Sequence, residues 1–148
     1  MQIPLRLLDI EGEGFHVMVQ GKINDMEANF LIDTGASRSV FDPIVISKFI
    51  DNPTFEKKEG ITAGVGGDDL ECSTFIIQSL TLGDIVINDY EAVALDLENI
   101  HENYQKLRLP TIHGIIGGDL LYRLKATINY RLRKIRLTQP RSQTKVSK

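Results

Sequence analysis

One acidic residue of this chain lies where a catalytic carboxylate could be held. Residues 30–37 read Phe-Leu-Ile-Asp-Thr-Gly-Ala-Ser, an apolar strand that delivers Asp33 into a tight turn. Thr34 and Ser37 supply hydroxyls in this turn, and Gly35 supplies a backbone N–H that no side chain obstructs. A carboxylate at the end of a buried strand is unfavourable unless its oxygens accept hydrogen bonds, which these groups can donate. An ionised Asp33 could then take a proton from water; the simpler alternative is that it only caps a turn.

A second segment, residues 114–121, reads Gly-Ile-Ile-Gly-Gly-Asp-Leu-Leu. Ile115 and Ile116 belong to an apolar strand, and Gly117 with the glycine after it lets this backbone pass close to another and turn sharply. The presence of this second segment argues against the alternative that Asp33 only caps a turn. Asp119 is a tempting second acid, but it follows glycines and is interpreted as a helix N-terminal residue favoured by the helix dipole.

The rest of the chain is predicted to form mostly strands. Short apolar or alternating segments predict strands at residues 3–7, 16–19, 26–32, 75–82, 85–88, 90–95, 126–128 and 135–137. Tight turns are expected at Asn24-Asp25, Gly83-Asp84 and Asn88-Asp89. Short helices are predicted over residues 43–50 and 118–124, and the polar stretch 97–107 fits either a helix or a long loop.

A glycine-rich hairpin is predicted over residues 61–72. Its tip carries Gly64, Val65, Gly66 and Gly67. A phosphate-binding loop is the alternative interpretation of these glycines. Such a loop ends in Gly-Lys-Ser/Thr and opens a helix, and neither signal follows here.

Together these segments resemble the retropepsin-like aspartic peptidases over nearly the whole chain, about residues 3–138. The Asp-Thr-Gly-Ala-Ser turn with its Ile-Ile-Gly partner is a specific combination, whereas the hairpin and the strands alone are weak signals. The resemblance implies a mostly β fold, a closed barrel or sheet domain with one or two short helices.

The resemblance also implies roles for the residues quoted above. Asp33 would be the catalytic carboxylate, and Thr34 would bond across the site to its counterpart. Gly35 would donate its N–H near the carboxylate, with Ser37 as a further support of the site. The tip at residues 64–67 would form a flap over the substrate, and residues 115–117 would be the strand that supports the active-site turn.

By the same resemblance the chain would be an aspartic endopeptidase acting on a peptide or protein substrate. The reaction needs one ionised carboxylate to take a proton from water and one protonated carboxyl to polarise the scissile carbonyl. Two carboxylates about 3 Å apart share a proton, because both cannot easily ionise; aspartic proteases are the usual example. Only one Asp-Thr-Gly motif is present, which predicts a homodimer with Asp33 from each subunit at a two-fold axis. The alternative is a module of the same fold that binds peptides or dimerises but cleaves nothing.

Length and charge fit one globular domain. The chain has 148 residues, and we expect a domain over residues 1–140 followed by a polar, basic and disordered tail at 141–148. The net charge of −3 argues against a nucleic-acid-binding protein, although seven Lys or Arg and no Asp or Glu lie between residues 131 and 148. No apolar stretch approaches the roughly 20 residues of a membrane span.

Cofactors and metals are not indicated by the sequence. Cys72 is the only cysteine, which excludes an intrachain disulfide and a cysteine metal cluster. His16, His101 and His113 show no metal-ligand spacing. The N-terminus lacks a signal-peptide pattern, so the expected setting is the reducing cytoplasm.

Residues 96–113 form a surplus relative to the shortest viral members of the resembled family. This surplus lengthens the chain between Asp33 and Gly117. It could cover the substrate groove, extend the dimer contact or decorate the surface, and the sequence leaves these three interpretations open.

Overall fold

The computed structural model describes residues 1–61 and 70–140, with their side chains except at 58–61 and 70–72. This part of the chain contains strands and three short helices. In chain order they are β1 (Gln2–Pro4), β2 (Arg6–Asp9), β3 (Phe15–Ile23), β4 (Met26–Ile32), β5 (Val40–Phe41), α1 (Pro43–Ile46), β6 (Glu56–Ile61), β7 (Leu70–Leu82), β8 (Ile85–Ala94), α2 (Glu98–Lys106), β9 (Gly114–Ile116), α3 (Gly118–Arg123), β10 (Thr127–Asn129) and β11 (Lys134–Arg136). None of the helices in the described residues is long and apolar enough to cross a membrane.

Six strands close into a barrel. Neighbouring strands follow the order β3-β4-β9-β5-β8-β7, and β7 returns to pair with the end of β3. β2 extends the sheet beyond β3, and β6 extends it beyond β7. Large apolar side chains fill the interior, among them Ile23, Phe30, Phe41, Phe75, Ile77, Leu80 and Ile116. The predicted mostly β fold with a closed barrel is confirmed.

Phe41 lies at the centre of an aromatic cluster in this core. Its ring meets those of Phe30, Phe75 and Tyr90 edge to face, at centroid distances of 6.1, 6.4 and 6.2 Å. Phe41 belongs to β5, which pairs with β9 on one side and with β8 on the other. The sequence does not predict β5, because two residues are too few to show a periodicity.

Two hairpin turns have the backbone that their residues favour. Asn24 and Asp25 join β3 to β4 with φ values of 50° and 67°, as the two central residues of a type I′ turn require. Gly83 joins β7 to β8 with a φ of 62°. Both predicted turns are confirmed.

The third predicted turn, at Asn88-Asp89, is wrong. Both residues lie inside β8, whose register against β7 is the same before and after them. Asp89 takes a φ of 50°, so the local turn preference is accommodated without a break in the strand. The predicted strands over 85–88 and 90–95 are therefore one strand.

The predicted strand over residues 3–7 is two strands in two sheets. β1 joins β11 and β10 in a separate three-stranded sheet, whereas β2 pairs with β3 of the barrel. Pro4 ends β1 and has no N–H to continue a ladder. Leu5 N then donates to Arg133 O at 2.9 Å, where the chain passes from one sheet to the other.

The three helices are short. α1 covers only the first half of the helix predicted over 43–50, and the chain continues in turns. Asp42 caps it, since its Oδ1 accepts from Ile44 N at 2.8 Å and from Val45 N at 3.2 Å. α3 agrees with the prediction to within one residue, and the stretch 97–107 is a helix, α2.

Two predicted features lie outside the described residues. They are the hairpin tip with Gly64, Val65, Gly66 and Gly67, and the tail at 141–148. The strands that lead to the tip, β6 and β7, pair antiparallel up to Ile61 and Leu70, as a hairpin requires.

Candidate active site

The turn that carries Asp33 is built where two parallel strands end side by side. β4 pairs with β9, and Asp33 N donates to Ile116 O at 2.9 Å. Gly35 N donates to Asp33 Oδ1 at 2.9 Å, which is the bond expected from this turn. Ala36 N donates to Asp33 O at 3.1 Å and closes the turn. The structure thus brings Asp33 next to the Ile-Ile-Gly strand predicted to support it.

Gly117 lies where this turn and the end of β9 cross at close range. A Cβ at Gly117 would lie 2.6 Å from Ala36 O and 2.9 Å from Arg38 O, so a side chain would force the two backbones apart. Gly118 N donates to Ala36 O at 2.7 Å. The crossing therefore needs glycine at position 117.

Asp119 anchors the elements around this crossing. Its Oδ1 accepts from Ser39 N at 2.9 Å, from Ser39 Oγ at 2.8 Å and from Leu120 N at 2.8 Å. Its Oδ2 accepts from the Tyr90 hydroxyl at 3.2 Å. Burial, helped by the charge of Asp119, raises the pKa of Tyr90 above its ordinary value of 10.0, so this hydroxyl keeps its proton. Ser39 Oγ in turn accepts from Gly117 N at 2.8 Å.

This network extends the sequence interpretation of Asp119. The residue lies in the first turn of α3, as predicted, but its carboxylate also contacts Ser39 and Tyr90, which are 80 and 29 positions away. Contacts at such separations leave no local signal in a single sequence. The carboxylate is engaged by four donor groups, which suits an anchor and not the second acid of a catalytic pair.

We expect Asp119→Ala to lower the free energy of unfolding by about 3 kcal/mol, because it leaves the buried Ser39 and Tyr90 donors unsatisfied. Urea denaturation measures this, with Asp84→Ala in the exposed β7–β8 turn as the matched control. Asp119→Asn should lower the free energy of unfolding less than Asp119→Ala does, because the amide oxygen of the asparagine still accepts from Ser39. Equal stabilities of Asp119→Ala and Asp84→Ala would contradict the anchoring role.

The site is exposed in the single chain. Asp33, Thr34, Gly35 and Ser37 all face solvent, although Ala36 between them is buried. The apolar strand β4 ends directly before Asp33, but it does not bury this residue in the single chain.

Comparison with known proteins identifies the family. A family model described as aspartyl protease matches residues 19–120, which is more than half of the chain and includes both Asp33 and Gly117. The chain belongs to the aspartyl protease family. No curated protein matches it.

Solved structures similar to this chain show its fold. A retropepsin-like aspartic protease from Rickettsia conorii is 17% identical with a TM-score of 0.54, over 91% of this chain and 86% of the other. The retroviral protease-like domain of Ddi1 from Leishmania major is 16% identical with a TM-score of 0.54, over 82% and 87%. The EIAV protease, complexed with the inhibitor HBY-793, is 21% identical with a TM-score of 0.50, over 86% and 92%. The fold of this aspartyl protease family member is therefore retropepsin-like.

A groove of about 510 Å³ opens onto Asp33. Some of its lining residues come from β3, β4 and β9, among them Val17, Leu31 and Ile115. Other lining residues come from α2 and from Leu107, the residue that follows α2. The sequence did not identify His16 and Tyr104, which also line this groove, because they come from segments 88 positions apart.

The segment 96–113 is packed onto the domain and does not merely decorate the surface. Leu97, Tyr104 and Ile112 are buried in a second apolar cluster that also contains Leu31 and Ile115. Asp42 Oδ2 accepts from Leu97 N at 3.0 Å, which fixes the start of the segment. Of the three interpretations left open by the sequence, surface decoration is therefore wrong.

Each of the three histidines takes part in a hydrogen bond through a ring nitrogen. His16 Nδ1 bonds the Tyr104 hydroxyl, His101 Nε2 bonds Ile112 O at 2.9 Å, and His113 Nδ1 accepts from Asn29 N at 2.8 Å. Among the described residues, no group of three or more His, Cys, Asp or Glu is placed to hold a metal ion.

His113 makes stability depend on pH. Burial lowers its pKa below the ordinary 6.5, and Nδ1 can accept from Asn29 N only while it is unprotonated. Between the lowered pKa of folded His113 and pH 6.5, the unfolded chain therefore binds a proton that the folded chain does not. We expect the free energy of unfolding to fall as the pH drops from 6.5 towards the lowered pKa of folded His113.

Two measurements check this expectation. In an NMR titration the His113 imidazole should titrate below 6.5. In urea denaturation series at several pH values, His113→Asn should reduce the slope of stability against pH, because the amide oxygen still accepts from Asn29 but does not titrate. A His113 midpoint at or above 6.5, or an unchanged slope in the variant, would contradict the assignment.

Proposed function

We propose that the chain is an aspartic endopeptidase whose active site combines Asp33 from each of two identical subunits. The observation that carries the proposal is the intact Asp33 turn: its carboxylate accepts from Gly35 N, its backbone is held against β9, and a groove opens beside it. A turn cap alone would not require a groove at its exposed carboxylate.

The proposed reaction uses water as the nucleophile. One Asp33 carboxylate takes a proton from a water molecule. The oxygen of this water molecule attacks the scissile carbonyl carbon at the same time. The other Asp33, protonated, donates a hydrogen bond to the carbonyl oxygen as negative charge develops there. When the tetrahedral intermediate collapses, the C–N bond breaks and the leaving nitrogen takes a proton from a carboxyl group. The pair is thereby returned to its shared single proton.

The need for a second subunit follows from the chemistry and from the exposed face. One chain supplies one Asp-Thr-Gly turn, and Asp119 is occupied by Ser39, Tyr90 and Leu120. A two-fold axis beside Asp33 would bring its counterpart close and cover the exposed turn, with Thr34 placed to contact the partner. The lowered dielectric would then make the two carboxylates share a proton.

The substrate class proposed is a peptide or an unfolded protein segment. The groove beside Asp33 has mostly apolar walls, which suits side chains that follow an extended backbone. No cofactor is required by this reaction.

The proposal is tested by incubating the dimeric protein with a synthetic peptide library from acidic to neutral pH. Mass spectrometry of the products should show internal cleavage with a recurring sequence pattern. Peptides that bind without being cleaved at any pH would support the alternative, a peptide-binding module of the same fold. Absence of both cleavage and binding would overturn the proposed substrate class.

A further inference from the structure

A depression of about 180 Å³ lies on the outer face of the three-stranded sheet. Two cations of β11 line it, Lys134 and Arg136, and both are exposed, whereas Ile135 between them is buried on the inner face. The depression shares no lining residue with the groove at Asp33. We propose that it binds a phosphate group, as inorganic phosphate or as a small phosphate monoester, through Lys134 and Arg136. Binding at this site does not depend on peptidase activity.

The register of the sheet places hydrogen-bonding side chains beside the two cations. Arg136 pairs with Gln2 of β1 and with Thr127 of β10, and Lys134 pairs with Asn129 of β10. Because paired residues of neighbouring strands point to the same face, one hydroxyl and two amides line the depression together with the cations. Asn129 Oδ1 already accepts a backbone N–H of the β10–β11 turn at 2.9 Å, so its Nδ2 group is the part of this amide that can donate to an anion.

The two cations lack a partner of opposite charge among the described side chains. None of the residues that line the depression is Asp or Glu, and the sequence has no Asp or Glu between residues 120 and 148. Neither Lys134 nor Arg136 forms an ion pair with a described carboxylate. Since residues two positions apart in a strand are separated by about 6.6 Å, the two positive charges repel each other on this face. A bound anion would offset that repulsion.

The charge and the size of the depression identify the anion. A phosphate monoester carries about −1.5 to −2 charges at pH 7, which matches two cations, whereas a carboxylate carries a single charge. Arginine can donate two parallel N–H bonds to phosphate oxygens, and lysine binds phosphate as a compact charge. The volume of about 180 Å³ is smaller than the roughly 300 Å³ at which typical small-ligand sites begin. The depression therefore fits a phosphate group with few atoms attached.

The site is tested by heteronuclear NMR titration of the isotope-labelled full chain at low ionic strength. The ligands are inorganic phosphate and glycerol phosphate, and acetate at the same ionic strength is the control anion. Lys134→Gln and Arg136→Gln each remove one charge, whereas Arg136→Lys keeps the charge but loses the two parallel donors. Arg123→Gln is the matched control, because Arg123 is an exposed cation of the same basic segment that does not line the depression.

We expect both phosphate compounds to shift the backbone amide signals of β10 and β11 along a saturable curve, and acetate to shift them far less. Lys134→Gln and Arg136→Gln should each weaken the affinity by about tenfold, because each removes a charge-assisted hydrogen bond. Arg136→Lys should weaken it less than Arg136→Gln does, and Arg123→Gln should bind like the parent protein. Equal affinities for the two ligands would assign the site to the phosphate group itself, and tighter binding of glycerol phosphate would assign it to a monoester.

Three results would overturn the phosphate site. The first is the absence of a saturable shift with either phosphate compound. The second is an equal loss of affinity in Arg123→Gln and Lys134→Gln, which would show that the basic segment attracts anions as a whole. The third is an equal response to acetate and to phosphate, which would show that the depression does not select a doubly charged anion.

Discussion

Asp33→Asn is expected to reduce kcat for peptide cleavage by at least about 10⁴-fold. Asparagine has nearly the same shape, and its amide oxygen can still accept from Gly35 N, as Asp33 Oδ1 does at 2.9 Å. It cannot take a proton from water at any pH near neutrality, so the general base is lost. Because Asp33 is exposed in the single chain, its replacement should change the free energy of unfolding by less than about 0.5 kcal/mol.

The matched control for this substitution is Asp84→Asn. Asp84 is an exposed aspartate in a hairpin turn, distant in sequence from the site and not among the residues that face the groove. The Asp84→Asn variant should cleave peptides at the same rate as the parent protein. Mass spectrometry must show that the asparagine introduced by Asp33→Asn has not deamidated back to aspartate. A verified variant that cleaves at the parent rate would falsify the assignment of Asp33 as the catalytic carboxylate.

Local patterns were enough to predict the parts of the fold that are built locally. β4 has the bounds predicted from its alternation, and it ends directly before Asp33. The Asn24-Asp25 and Gly83-Asp84 turns follow from backbone preferences of single residues. The approach of Gly117 to the turn was predictable as well, because paired glycines after an apolar strand indicate close backbone packing.

What the sequence could not predict depends on distant partners. β5 is too short to show a period, yet it places Phe41 at the centre of the core. The split of the first strand depends on β11, more than a hundred positions away. The His16–Tyr104 bond and the Asp119 network join segments that only the closed barrel brings together. The sequence therefore predicts the turn that carries Asp33. It does not predict the residues that line the groove or the hydrogen bonds of Asp119.

We expect cleavage activity to depend on a dimer, with monomers inactive. On dilution through the dimer-to-monomer transition, the activity per subunit should fall in proportion to the dimer fraction measured by sedimentation. A second experiment mixes parent protein with increasing proportions of Asp33→Asn protein and allows the subunits to exchange. If each site needs Asp33 from both subunits, mixed dimers are inactive. Equal amounts at a fixed total concentration should then give about a quarter of the all-parent rate.

The mixing curve separates the possible arrangements of the site. A site complete within one chain would give half the rate at equal amounts, since each parent subunit would act alone. A mixture with Asp84→Asn protein in place of Asp33→Asn controls for exchange and should keep the full rate. Within one described chain, Asp119 is engaged by Ser39 and Tyr90, and the acid that shares the groove with Asp33 is the exposed Glu11. A linear mixing curve together with constant activity on dilution would therefore point to a second acid of the same chain, such as Glu11, and the shared site at the two-fold axis would be wrong.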